Sequence, residues 1–166
     1  IRQHHLNLAV PDTWSHHAAI GLMYDTSLGS SSTYGFQHGY GVRRPFDDAF
    51  AVFPLTAMEL SLPIESDPER AWEACESLLE EARANAAVMT VLWHPRFFCA
   101  DTPEYAPIYR RLIERALELD AWVGQPGELY DGLDDAGGGG PSGTGRTSSD
   151  RDRVSSPTRD QASPSD

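Results

Sequence analysis

Lysine is missing from the chain: all 13 basic side chains among the 166 residues are arginine, set against 25 acidic ones. The net charge of -12 and an isoelectric point near 4.8 exclude a phosphate-binding surface, which needs concentrated positive charge. Nucleic acid is therefore not an expected partner. An acidic, lysine-free composition suits a halophilic protein kept soluble by charge in concentrated salt, and a GC-rich genome would also exchange lysine for arginine. Cysteine is scarce too. Cys75 and Cys99 share no CxxC spacing, so neither a disulfide framework nor a zinc ribbon is indicated, although the two could bridge each other. No apolar run approaches the length of a membrane span, and no signal-like segment opens the chain. The first residue is Ile1, followed at once by the polar stretch Arg2-Gln3-His4-His5, so the chain is expected to begin inside a longer reading frame. The compartment is unreadable for the same reason, and cytoplasmic placement would follow only if Ile1 lay close to the natural start. HxxxH and HExxH are also absent, and the adjacent pairs His4-His5 and His16-His17 point apart on a strand or a helix, so no metal ligand is assigned.

What is present reads as alternating strands and helices. Leu6, Leu8 and Val10 alternate with polar or small residues, which predicts a short strand before Pro11 and Asp12 open a helix to about Ile20. Residues 22–26 are strand-like, 29–48 form a long loop, and the apolar run 50–55, with Pro54 as a bend, extends or restarts through 58–62. Asp67-Pro68-Glu69 places a capping carboxylate ahead of a proline, and Ala71, Cys75, Leu78, Leu79 and Ala82 then recur at helical spacing. The continuous apolar run 88–93 predicts a strand buried on both faces. Thr102-Pro103-Glu104 is expected to cap a second long helix bearing Tyr105, Ile108, Leu112, Ala116 and Leu119, followed by a brief strand at 121–123 and a last short helix over 127–133. From about residue 135 the chain turns to Gly, Ser, Thr, Asp, Arg and Pro, too poor in apolar side chains to offset its ordering entropy. The expected organisation is a domain over 1–134 and a disordered tail over 135–166.

Strands separated by helices of this length call for parallel pairing with crossovers, hence an α/β sheet or barrel whose chemistry sits at the carboxyl ends of the strands. Asp25 and His94 occupy two such ends. An imidazole held at the mouth of a sheet by a following proline is well placed to move a proton. The alternatives are a histidine satisfied by a backbone carbonyl and a carboxylate capping a turn.

Arg2-Gln3-His4-His5-Leu6, Trp14, Gly21-Leu22-Met23-Tyr24-Asp25-Thr26-Ser27-Leu28-Gly29, the loop from Gly35-Phe36 to Arg44-Pro45-Phe46-Asp47, and Leu92-Trp93-His94 follow one another in order. Over roughly residues 1–131 this series resembles the carboxyl-terminal half of NodB-type polysaccharide deacetylases. The resemblance implies a partial, deformed (β/α) barrel. It implies that Arg2 matches an arginine that holds the catalytic aspartate and that Asp25 matches an aspartate that orients the catalytic histidine. His94 matches the histidine that gives a proton to the departing amine. His4, Trp14, Phe46 and Trp93 become candidate sugar contacts, with core packing the competing role for any single aromatic. A carbohydrate is the implied substrate, and a divalent metal, zinc, is implied for the intact parent.

The departures from that pattern are specific. The early pair of aspartates and the metal-binding HxxxH both precede the arginine position in the family and do not occur in this chain. The usual G-F-R-x-G-T is altered to Gly35-Phe36-Gln37-His38-Gly39-Tyr40. The expectation is a fragment of a carbohydrate deacetylase, inactive alone and prone to associate through open barrel edges. The alternative is a non-catalytic carbohydrate-binding or regulatory module on a degenerate deacetylase fold.

Overall fold

In a computed structural model of the protein, which describes residues 1–46 and 49–137, short parallel strands alternate with helices. Strand β1 (Tyr24–Asp25) pairs in parallel with β2 (Ala51–Val52), and β3 (Leu55–Met58) pairs in parallel with β4 (Thr90–Leu92). Only two residues separate β2 from β3. The break falls at Pro54, which has no N–H to donate to a ladder. Pairing nevertheless continues across it: Phe53 N donates to Asp25 O at 2.9 Å and Leu55 N to Leu28 O at 2.7 Å.

The sheet also gains a neighbour on its other side. Ile1 N donates to Tyr24 O at 3.0 Å, and Thr26 N donates to Ile1 O at 2.9 Å. That alternation, one residue bonding to both neighbours of its partner, is the signature of parallel pairing. Residues 1–3, β1, β2 with β3, and β4 therefore lie side by side in chain order with their carboxyl ends at one rim. The arc is an α/β arrangement and does not close into a barrel among the described residues.

Helices cover both faces of this arc. Helix α1 (Asp12–Ala19) lays Trp14 on Phe50 and Val52, while the alternate residues Ala51 and Phe53 face Tyr130 of α4 (Pro126–Gly137). The period of two along β2 thus sends successive side chains to opposite helices. Helix α2 (Pro68–Ala84) starts on the expected signal, with Asp67 Oδ1 accepting from Arg70 N at 3.0 Å and Pro68 at the first helical position. Its stripe of Ala71, Trp72, Cys75 and Leu79 packs with Ile108, Leu112 and Ala116 of α3 (Tyr105–Glu118) into the largest core cluster. Each large apolar side chain so buried contributes about 1.5–3 kcal/mol.

Several expectations need correction. The alternating residues 6–10 do not form a strand: His4–Leu6 is a single 3-10 turn, His5 and Leu6 have φ of 57° and 54°, and Val10 is exposed. Two successive left-handed residues curl the chain off the sheet, whatever its hydrophobic pattern. Residues 121–123 are likewise not a strand. The run 88–93 reduces to β4, whose Val91 and Leu92 are only half-buried. Helix α3 begins at Tyr105 with no side-chain cap, and Thr102 instead faces the Cys99 thiol. Helix α4 runs to Gly137, past the expected boundary at 134, and the tail expected beyond lies outside the described residues.

Candidate functional site

Because the strands are parallel, the segments leaving their carboxyl ends meet at one rim. Asp25, Thr26 and Ser27 leave β1, Glu59 follows β3 directly, and His94 stands two residues beyond β4. Arg2 belongs to the segment alongside β1, and its Nε donates to Thr26 O at 3.1 Å. Burial pulls the Arg2 guanidinium below its ordinary pKa, and the charges of Asp25 and then Glu59 pull it back up. Both carboxylates therefore act on one cation.

The carboxylate that engages His94 is Glu59. Glu59 Oε1 meets His94 Nδ1 in a close hydrogen bond. The Glu59 side chain is 0 % exposed, whereas that of His94 is 39 % exposed, so the ring spans the boundary between the core and the rim. With Nδ1 occupied, the tautomer is set and Nε2 is the nitrogen available to a reacting group. Glu59 Oε2 is buried without a hydrogen-bond partner among the described residues. A fully buried carboxylate oxygen left in that state is costly unless something beyond the fold completes it.

Asp25 does other work than orienting His94. It is fully buried and accepts from Ser27 N at 2.7 Å and from Ser27 Oγ at 2.9 Å, while His17 Nδ1 of α1 lies 3.2 Å from Oδ2. Glu59 is thus the carboxylate bonded to His94, and the charges of both Asp25 and Glu59 act on Arg2. Glu59 was hidden in the sequence because it lies in the apolar run Ala57-Met58-Glu59-Leu60. The signal that could have found it is the lone charge in that run, at the end of a strand.

The four candidate sugar contacts scatter. His4 is exposed beside the rim, its ring centroid 4.0 Å from that of His5. Trp14 is buried beneath α1 and is packed as core. Phe46 packs on Phe50, and Trp93 packs on Tyr109 with its Nε1 buried and unpartnered. Of the four, Trp93 is the immediate chain neighbour of His94.

No three His, Cys, Asp or Glu side chains among the described residues are placed to hold a metal ion. Comparison with protein-family models, curated proteins and solved structures finds no match for the chain.

Proposed function

We propose that the chain is the carboxyl-terminal part of a NodB-like deformed barrel and supplies the proton-handling side of a carbohydrate deacetylase site. Arg2, Asp25 and His94 are its residues for that reaction, with Glu59 added as the group that orients His94. One observation carries the reading: a half-exposed imidazole is fixed at Nδ1 by a fully buried carboxylate at the carboxyl rim of parallel strands, with an arginine that feels the charge of that carboxylate and of a second one. Hydrolysis of an N-acetyl amino sugar breaks an amide C–N bond, adds water across it, and must deliver a proton to the nitrogen as it leaves. His94 Nε2 is suited to that delivery. The base, the metal ligands and the first half of the barrel would come from upstream of Ile1.

The test is acetate release from N-acetyl chito-oligosaccharide by the chain alone and by the chain joined to its own upstream coding sequence, each with added Zn²⁺. The joined form is expected to release acetate and the chain alone is not. His94→Ala should lower kcat by about 10²- to 10⁴-fold, the usual contribution of general acid–base catalysis, with little change in KM. Glu59→Gln should lower kcat less than His94→Ala. If the joined form bound the oligosaccharide without releasing acetate, the carbohydrate-binding module would replace the enzyme. Acetate release by the chain alone would refute the proposed division of the site.

A further inference from the structure

Beneath the rim lies a second carboxylate–imidazole pair, Asp25 with His17, whose imidazole the proposed chemistry does not use. Gln3 Nε2 stands 2.7 Å from His17 Nε2. A carboxamide nitrogen can only donate, so His17 Nε2 accepts and the ring carries its proton on Nδ1. That Nδ1–H lies 3.2 Å from Asp25 Oδ2, out of line for a hydrogen bond but in close polar contact. Asp25 Oδ2 in turn accepts from Ser27 Oγ, and Ser27 Oγ accepts from the backbone N–H of Gln3 at 2.7 Å. The path closes on Gln3. Four residues from three elements form one circuit of three hydrogen bonds and the 3.2 Å approach of His17 to Asp25, and His17, Asp25 and Ser27 are all buried.

Arg2 sits inside the frame this circuit makes. The residue before it is tied to β1 through both its N and its O, and the residue after it is tied through both its backbone and its side chain. A long guanidinium side chain gives up much rotamer entropy when fixed, so a rigid anchor on both sides of its Cα lowers the remaining cost of holding it.

We propose that Gln3, His17, Asp25 and Ser27 act as a single positioning unit that fixes the segment bearing Arg2 against β1, with Asp25 acting through Arg2 and not on His94. The inference rests on the deacetylase reading only for why Arg2 must be held. Its test is read without substrate, so it can fail while acetate release succeeds, and the reverse.

The experiment is residue-resolved hydrogen exchange on the ¹⁵N-labelled chain, following the backbone N–H at position 3 and the Arg2 Nε–H. His17→Phe, which keeps a ring and removes both nitrogens, should speed exchange at those two sites by about tenfold, the factor for one net hydrogen bond. Amides in α2 and β4 should keep their rates. Gln3→Met should do the same, and because Gln3 is only half-buried this variant carries the test if His17→Phe does not fold. The two changes together should be no worse than either alone, since a circuit is broken once. His17→Gln, whose amide again offers a donor and an acceptor, should recover part of the protection. Additive effects, an equal acceleration in α2 and β4, or no acceleration at positions 2 and 3 would overturn the proposal.

Discussion

At the scale of single residues, burial decides what a titratable group can do. Cys75 has no exposed surface in α2, and burial pushes its thiol up to about 11, while the exposed Cys99 is lowered by its hydrogen bond from Thr102 and the backbone of Asp101. Cys99 should therefore react first with a thiol reagent at neutral pH, and Cys75 only on unfolding. The same contrast sets an alkaline limit. The folded pKa of Cys75 is raised above an unfolded value near 9, so its contribution is intact below pH 9 and is lost as pH climbs from 9 towards 11. About 3 kcal/mol is at stake, at about 1.4 kcal/mol per pH unit. Denaturant titrations across that window should show a steeper fall for the natural chain than for Cys75→Ala, and parallel curves would refute the assignment. Burial also explains which site residues were legible. Asp25 and His94 stand at strand ends where sequence order alone drew attention, and Arg2 entered only through the family resemblance, but nothing in the spacing of Asp25 tells that its carboxylate turns towards His17. Only the fold could show that Glu59, the last residue of the buried stretch 50–59, is the partner of His94.

At the scale of elements, a helix whose signals all agree within its own turns was legible, and two short strand patterns without a neighbour misled. Helix α2 was readable because its cap, its proline and its apolar stripe all agree, and no distant contact is needed to produce them. Residues 6–10 carry a strand pattern but have no adjacent strand to use it, and 121–123 end the same way. The approach of 29 to 55 was equally invisible, because it joins two segments across the sheet. At Gly29 an added Cβ would sit 2.6 Å from Leu55 Cβ and 3.0 Å from Leu55 O. Backbone must move to admit it, and Leu55 N is bonded to Leu28 O beside it. Gly29→Ala should cost about 1–3 kcal/mol, the range for overpacking a filled core. Gly41→Ala, where an added Cβ meets nothing within 4 Å, should be close to neutral. Thermal melts of the two variants check this, and equal melting temperatures would mean that β1 and β3 slide apart freely.

At the scale of the whole molecule, an open parallel arc is combined with a large excess of negative charge. Between β4, α2, α3 and the 121–124 segment lies a mainly apolar groove of about 570 Å³, lined in part by Met89, Tyr109, Leu112 and Leu129 and flanked by the exposed Trp122. Self-repulsion from a net charge of -12 works against the compact state. Local ion pairs offset little of that, since Arg115 with Glu118 at 3.1 Å and with Glu76 at 3.5 Å are surface contacts of small net value. Salt should therefore stabilise the chain. Raising NaCl from about 0.1 M to about 1 M shortens the screening length from about 10 Å to about 3 Å, which removes most repulsion between exposed carboxylates. Relief of 1 kcal/mol would raise Tm by about 4 °C in a domain of this size. The gain should level off near 1 M if screening is the cause, whereas strengthened apolar burial would keep rising with added salt. A melting temperature that falls with salt would show that attraction between opposite charges, and not repulsion among carboxylates, governs the stability of the arc.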